Sequence, residues 1–215
     1  GGGGLTAGSG KGGTYTAGGG SGTVGGTRAG VNAARAAVSF TPATDKDVNT
    51  TITTHIEDQS AAGPADGSIT LTVTPANDAP TATNLTQALP YNEGDATVAI
   101  TDIVVTDVDT NPAQVITATL TLANTAVGLL TAGSGNGETY TPCSGVWTVN
   151  GTVAAVNAAL AAVSFTPAAD NDVNTTITTH IEDQSTTGPV DGLISLNVTP
   201  ANDAPTATNL TQATA

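Results

Sequence analysis

Residues 175–183 read TTITTHIED, and the same nine residues stand at 50–58, 125 positions earlier. Apolar side chains alternate with polar ones in this stretch, which is the period of a β-strand with one buried face. We therefore predict a strand in which Ile177, Thr179 and Ile181 face a core. The recurrence at a fixed distance predicts an internal repeat.

The repeat extends well beyond this strand. Between Val38 and Ala88, 43 of 51 residues are identical to those 125 positions later. This period predicts three domains: 1–80 is the C-terminal part of one repeat, 81–205 is a complete repeat, and 206–215 begins another. Because neither chain end coincides with a repeat boundary, we expect a piece of a longer polypeptide, or a subunit whose incomplete ends are completed by a neighbour.

Composition and periodicity predict an all-β fold. Aromatic residues make up 3% of the chain and methionine is absent, so each repeat must bury a core of small and β-branched side chains. The alternation continues at 116–122 and 194–198, which predicts further strands. One short helix is predicted after Thr152, where apolar residues between Val153 and Leu160 follow a spacing of three and four. We expect tandem β-sandwiches in which this helix is a crossover that covers a sheet edge.

The first repeat departs from the second at core positions. Arg28 and Arg35 stand where the second repeat has Val153 and Leu160. Burying two unpaired guanidinium groups would be costly. We expect either that this partial repeat packs differently or that these residues are held less firmly than the rest.

The charge of the complete repeat is strongly one-sided. The chain has a net charge of −14, and residues 81–205 contain twelve carboxylates but neither lysine nor arginine. Such a polyanion repels nucleic acid and anionic lipid, so we expect neither as a partner. No run of 18 apolar residues is present, so no membrane insertion is expected. Carboxylates without cationic partners must be solvated, protonated or bound to a metal ion.

The acidic residues of the complete repeat fall in predicted turns or at strand ends. Short acidic turns at a domain junction can supply the oxygen ligands, about six to eight, that Ca²⁺ prefers. The candidates placed in this way are Glu93, Asp107, Asp109, Asp170, Asp172, Asp183 and the pair Asn202-Asp203. The alternative is that acidic residues only cap turns and keep a long polymer soluble, which is the role expected of Asp102, Glu138 and Asp191.

Two motifs give the chain a family resemblance. The linker Asn77-Asp78-Ala79-Pro80 and the helix and strand of residues 153–167 resemble those of cadherin-like repeats in large bacterial secreted adhesins. The resemblance implies tandem Ig-like, cadherin-like Greek-key β-sandwiches on the bacterial cell surface, with Ca²⁺ between consecutive repeats.

The resemblance also implies two sets of calcium ligands. For the junction inside the chain, it assigns Asp45 and Asp47 from the preceding repeat, Asn77 and Asp78 from the linker, and Asp107, Asp109 and Asp183 from the following repeat. For the second junction, it assigns Glu93, Asp170, Asp172, Asn202 and Asp203. Thr74-Pro75 stands where the family has an acidic residue, and Ala79 where it often has asparagine, which implies fewer ions or weaker sites. Asp183 is favoured over Glu182 because it continues the inward-facing series of its strand.

The chain shows no catalytic constellation. His55 and His180 are repeat equivalents at outward strand positions, and we expect them to be solvated or bonded to threonine. Neither histidine has a second histidine or a cysteine near it in the sequence. We predict that the chain is not an enzyme.

Three functions follow from these observations. The first is a segment of an extracellular adhesin stalk that calcium stiffens, with neighbouring repeats as partners and any surface glycan or host receptor bound by domains outside this chain. The second is a subunit of a self-assembling filament, in which residues 206–215 add a strand to an identical neighbour. The third is a glycan- or ice-binding module that uses the outward threonine rows.

Overall fold

The computed structural model describes residues 3–6, 13–16, 20–109, 115–131 and 133–208. The chain divides into two compact units, Gly1–Ala76 and Asn77–Ala215, which we call unit 1 and unit 2. Residues 209–215, which make up most of the segment predicted to begin a third repeat and to donate a strand, lie outside the described residues.

Unit 1 consists of short strand pairs and one helix. Its elements are β1 (Gly4–Leu5), β2 (Gly13–Thr16), β3 (Ser21–Val24), α1 (Arg28–Ala36), β4 (Phe40–Thr41), β5 (Thr50–Thr54) and β6 (Gly67–Leu71). The described strands form three antiparallel pairs, β1 with β4, β2 with β3, and β5 with β6.

Unit 2 contains larger sheets. Its elements are β7 (Thr81–Thr83), β8 (Gln87–Asn92), β9 (Val98–Ala99), β10 (Val104–Thr106), β11 (Ile116–Leu122), β12 (Gly128–Leu130), β13 (Thr139–Thr141), β14 (Val146–Gly151), α2 (Val153–Leu160), β15 (Ser164–Pro167), β16 (Thr175–Glu182) and β17 (Gly192–Thr199). The described strands form one sheet in the order β13-β14-β11-β16-β17-β8, a second in the order β12-β15-β9, and the pair β10-β7. The pairing of β8 with β17 is parallel.

The core of unit 2 follows the alternation of its strands. Along β11, side chains are alternately buried and half-buried, and along β16 the side chains of Ile177, Thr179 and Ile181 are buried as predicted. These strands contribute to one hydrophobic cluster, in which Trp147 and Phe165 are the largest fully buried side chains. The prediction of a predominantly β chain is confirmed, and multi-stranded sheets that bury one face are consistent with a β-sandwich.

The predicted helix is present as α2 and covers a strand edge. Thr152 caps its N-terminus by accepting a hydrogen bond from the Ala155 N–H at 3.3 Å. The Asn157 side chain pairs with the backbone of the buried Val105 in β10: its Oδ1 accepts from the Val105 N–H at 2.8 Å, and its Nδ2 donates to the Val105 carbonyl at 2.9 Å. The side chain of Asn157 therefore makes the two backbone hydrogen bonds that a neighbouring strand would make with Val105. In the described part of the chain, neither this helix nor α1 has the length and hydropathy needed to cross a membrane.

Unit 1 has the back-half sequence of the repeat without its core. Arg28 and Arg35 lie exposed on α1, which supports the expectation that the first repeat packs differently. Ile56 and Ile69 are 43% and 50% exposed, whereas their counterparts Ile181 and Ile194 are 1% and 0% exposed. Among the described residues of unit 1, Ala34 is the only apolar residue that is fully buried. The two guanidinium groups therefore carry no burial cost.

We expect Asn157→Ala to destabilise unit 2 by about 2 kcal/mol, because it leaves two buried backbone groups of Val105 without partners. The fluorescence of Trp147, the single tryptophan of the chain, reports the unfolding of unit 2 in urea. The matched control is Asn32→Ala, since Asn32 is the exposed counterpart of Asn157 in α1. Equal urea midpoints for Asn157→Ala and the unsubstituted chain would contradict the assignment.

Candidate metal centre

Two clusters of polar and acidic residues lie at opposite ends of β16 in unit 2. The first cluster consists of Asn77, Asp78, Asp107, Asp109 and Asp183. The second cluster consists of Glu93, Asp170, Asp172 and Asp203. Asp172 precedes the start of β16 and Asp183 follows its end, and a strand of eight residues spans roughly 25 Å. Each cluster includes residues from one of the two Asn-Asp dipeptides that bound the complete repeat.

Both carboxylate oxygens of Asp183 in the first cluster accept hydrogen bonds. It is buried, and its Oδ1 accepts from the backbone N–H groups of Ser185 and Thr187 at 2.7 and 3.0 Å. Its Oδ2 accepts from the Thr187 hydroxyl and from Asn77 Nδ2, both at 2.7 Å. Burial raises the pKa of Asp183, but these hydrogen bonds outweigh it and hold the pKa below its usual value. Asp183 therefore stays ionised at neutral pH without a cation.

Asp107 differs from Asp183, because its hydrogen bonds do not outweigh the effect of burial on its pKa. Its Oδ1 accepts from the Asp109 N–H at 2.8 Å, and Asp109 in turn accepts from the Asp78 N–H at 2.9 Å. The Oδ2 atom of Asp107 is buried, and no group among the described residues donates a hydrogen bond to it. Burial, together with the charges of Asp109, Asp183 and Asp78, raises the pKa of Asp107 despite the Asp109 N–H bond. A buried anionic oxygen without a donor fits a bound cation.

The second cluster brings carboxylates close together. One ligand oxygen from each of Glu93, Asp170 and Asp203 lies within 4.8 Å of the other two. Glu93 Oε2 accepts from the Ala201 N–H at 2.6 Å, which lowers its pKa. Desolvation, a hydrogen bond with Asp172 and the charges of Asp172 and Asp203 outweigh this bond and raise the pKa of Glu93. Glu93 therefore holds its proton more tightly in this cluster, because negative charges surround it.

The structure brings together most of the residues assigned from the sequence. The residues assigned to unit 2 fall into the two clusters, with Asn202 adjacent to Asp203 and its Nδ2 donating to the Asp203 carbonyl at 3.3 Å. Asp45 and Asp47 belong to unit 1, where they lie in the loop between β4 and β5. Asp183 is the buried member of the pair Glu182-Asp183, in agreement with the parity of its strand.

Two neighbours of Asp183 escaped the sequence prediction. Ser185 and Thr187 supply its backbone donors, and the Thr187 hydroxyl supplies another. The Asp-x-Ser spacing is the signature of an Asx turn and could have indicated them. The counterpart in unit 1 forms the same turn, since Asp58 Oδ1 accepts from the N–H groups of Ser60 and Ala62 at 2.8 and 3.1 Å. Turn capping therefore explains part of the geometry of Asp183 without any metal.

The two histidines are solvent-exposed as predicted, with side chains 60% exposed at His55 and 45% exposed at His180, but their hydrogen-bond partners are carboxylates and not threonine. His180 Nδ1 lies 2.6 Å from Asp191 Oδ1, and its Nε2 lies 3.4 Å from Glu182 Oε2. His55 repeats this arrangement with Asp66 and Glu57 at the same distances. The hydrogen bonds to the carboxylates raise the pKa of both imidazoles. Asp191, expected only to cap a turn, is therefore the hydrogen-bond partner of His180.

A scan against models of known protein families finds no match for the chain, and neither does a search of curated proteins.

Without metal, we expect the Tm of unit 2 to rise as the pH falls from about 7 to about 5. Asp107 and Glu93 have raised pKa values, so the folded state binds their protons more tightly than the unfolded state and acid favours folding. His180 acts with the same sign, because the stability from its raised pKa is lost as the pH rises through that pKa. Further acid reverses the trend, since Asp183 loses its stabilisation as the pH falls through its lowered pKa. Trp147 fluorescence melts in EDTA measure this profile.

Asp107→Asn isolates the carboxylate part of this profile. In EDTA at neutral pH, we expect this variant to stabilise unit 2 by about 1 kcal/mol, because the amide removes a repelled charge and adds a donor. The matched control is Asp102→Asn, an exposed acid outside both clusters. A destabilised Asp107→Asn variant in EDTA would show that the carboxylate is not repelled in the folded state.

Proposed function

We propose that the chain is a load-bearing repeat segment of an extracellular protein of the bacterial surface-adhesin type, stiffened by Ca²⁺ bound at both ends of each complete repeat. Each complete repeat is a cadherin-like Greek-key sandwich that acts as a spacer. Its partners are the neighbouring repeats, and recognition of a surface glycan or host receptor belongs to domains outside this chain. No catalytic step is assigned to it.

The pairing of β8 with β17 is the observation that carries this proposal. These two strands lie near the start and the end of unit 2 and run parallel over six residue pairs, from Gln87 opposite Ile194 to Asn92 opposite Thr199. When the ends of a repeat are pulled apart, parallel neighbours move in opposite directions along the same axis. The ladder is then sheared, and all its hydrogen bonds resist together instead of breaking one after another.

The two acidic clusters support calcium as the stiffening cofactor. Ca²⁺ binds oxygen ligands in flexible geometries, and carboxylates from several loops can share one ion. In the first cluster, Asp107 and Asp109 would contribute oxygens, and in the second cluster Glu93, Asp170 and Asp203 would do so. Residues 81–205 contain neither lysine nor arginine to pair with these carboxylates. The ion would therefore neutralise them. Because each cluster includes an Asn-Asp linker residue, calcium there would tie the linkers to the sandwich.

We expect Ca²⁺ to stabilise unit 2 by about 3 kcal/mol for each ion bound when free calcium is about a hundredfold above its Kd. Melting curves from Trp147 fluorescence in EDTA and in millimolar Ca²⁺ measure this gain. Glu93→Gln and Asp170→Asn should each reduce it, because each removes one ligand carboxylate of the second cluster.

The matched control is Glu138→Gln, since Glu138 lies outside both clusters and caps a turn by accepting from the Ser134 and Asn136 N–H groups. This control should retain the full calcium gain. Superimposable melting curves in EDTA and in Ca²⁺ would end the calcium proposal.

Single-molecule stretching tests the load-bearing role. In a Cys143→Ser background, handles attached through cysteines at Thr86 and Pro200 shear the β8–β17 ladder, whereas handles at Thr86 and Val190 unzip it from one end. We expect a clearly higher unfolding force in the first geometry and a further increase with Ca²⁺. Equal forces in both geometries would contradict a mechanical function for this ladder.

A further inference from the structure

Each unit carries a histidine between two carboxylates on the outer face of a strand. In unit 2, His180 and Glu182 lie two positions apart in β16, so their side chains leave the same face of the sheet. Asp191, which directly precedes β17, places its Oδ1 2.6 Å from His180 Nδ1. The side chains of His180, Glu182 and Asp191 are 45%, 30% and 54% exposed. We call these three residues the histidine site of unit 2, and they lie outside both acidic clusters.

The distance between His180 Nε2 and Glu182 Oε2 is that of two ligands on one metal ion. These atoms are 3.4 Å apart, which is longer than the roughly 2.7–2.9 Å of a charge-assisted hydrogen bond. Two ligands of a tetrahedral Zn²⁺, with bonds of about 2.0–2.2 Å, are themselves about 3.4 Å apart. The nitrogen and the oxygen are therefore spaced to bind such an ion between them.

Asp191 orients the imidazole of His180 for metal binding. An ionised carboxylate only accepts hydrogen bonds, so in the neutral imidazole Nδ1 carries the proton and Nε2 presents its lone pair on the side of Glu182. A metal-binding histidine usually donates its other N–H to a carboxylate in this way, which fixes the tautomer and the ring orientation. The histidine site therefore contains two ligands and the carboxylate that supports one of them.

Unit 1 repeats this arrangement, and we call the residues His55, Glu57 and Asp66 the histidine site of unit 1. His55 Nδ1 lies 2.6 Å from Asp66 Oδ1, and His55 Nε2 lies 3.4 Å from Glu57 Oε2. The three side chains are 60%, 54% and 56% exposed. Each copy of the chain therefore presents two accessible sites with the same geometry.

Each histidine site supplies two of the four ligands of a tetrahedral ion. In unit 2, the residues opposite His180 and Glu182 in β11 are Thr119 and Thr117, whose hydroxyls are not among the usual ligands of Zn²⁺. Two coordination positions are therefore left for ligands from outside the chain. A second histidine site can supply them, because two equal half-sites complete each other across a twofold axis.

We propose that each histidine site is one half of a zinc site, and that Zn²⁺ joins two copies of the chain by binding the histidine and the glutamate of each. Imidazole and carboxylate together suit Zn²⁺, whereas Ca²⁺ prefers oxygen ligands alone. The ion also reduces the repulsion between chains that each carry a net charge of −14. Because each chain has two such sites, Zn²⁺ links chains into assemblies larger than dimers. This interaction goes beyond the proposed spacer role and does not depend on calcium in the acidic clusters.

Sedimentation velocity of the full chain tests the proposal through its valency, at physiological salt and with millimolar Ca²⁺ present to compete for the acidic clusters. Every variant carries Cys143→Ser, because an exposed thiol is itself a zinc ligand. With micromolar Zn²⁺, we expect the Cys143→Ser chain to assemble beyond dimers, and EDTA to reverse the assembly. His55→Ala and His180→Ala each leave one site and should stop at dimers. The double histidine variant should stay monomeric.

Substitutions at the carboxylates separate the ligands from the supporting groups. Glu57→Gln combined with Glu182→Gln removes one ligand from each site and should also abolish assembly. Asp66→Asn combined with Asp191→Asn should preserve assembly but require about 10- to 100-fold more Zn²⁺, the usual effect of losing the group that supports a metal-bound histidine. The matched control is Asp102→Asn, which removes an exposed acid outside both sites and should assemble normally.

Three outcomes would overturn the proposal. The first is assembly of the double histidine variant in Zn²⁺, because other ligands would then bind the ion. The second is a Cys143→Ser chain that stays monomeric in Zn²⁺. The third is assembly of the single-histidine variants to the same size as the Cys143→Ser chain. Trp147 fluorescence checks that each variant folds, and the paired glutamate substitutions keep the test decisive if a histidine variant does not.

Discussion

The two edges and the inner face of the β16–β17 pair have to be covered by strands from residues 81–122, and the rest of unit 2 depends on these contacts. β11 lies between β14 and β16 and joins them into one sheet, while β8 closes the far edge beside β17. Unit 1 is an internal control, because it repeats the sequence of β16 and β17 without these covering strands. There Ile56 and Ile69 are about half exposed instead of buried, which forgoes about half of the roughly 1.5–3 kcal/mol that full burial contributes for each side chain.

The same covering strands create the acidic clusters. Glu93 directly follows β8, and Asp107 directly follows β10, so the packing of these two strands carries a carboxylate to each end of β16. Packing that is favourable for apolar side chains thereby places like charges together. At Asp183 the fold offsets the repulsion with four hydrogen bonds. At Asp107 it leaves one buried oxygen to which no described residue donates a hydrogen bond, and this difference is the reason why we propose a cation in the first cluster.

Comparison of the two repeats separates local from tertiary contributions at the same residue type. Asp58 and Asp183 cap the same turn through the same kind of backbone hydrogen bond, which requires only the local sequence. Only Asp183 is buried and bonded to an asparagine 106 positions away. A similar contrast holds for Asn32 and Asn157, because only Asn157 has a strand edge, in β10, to satisfy. Identical residues thus acquire different roles according to what the fold places beside them.

The sequence by itself determined the repeat, the half-buried strands, the cap of α2 at Thr152 and the loops that carry the acidic residues. The repeat is visible when the sequence is compared with itself, and each of the other features depends on residues a few positions apart, so the sequence alone contains the information. Only the tertiary structure decided that β8 runs parallel to β17, that Asn157 satisfies Val105, that the histidines bind carboxylates, and that the buried Tyr91 packs against Phe165 and bonds to Asn171. The parallel strands, the asparagine contact and the Tyr91 contacts join residues 52 or more positions apart, and the histidine pairs span hairpin loops. Which residues meet over such distances is set by how the apolar faces pack, and no local pattern records it.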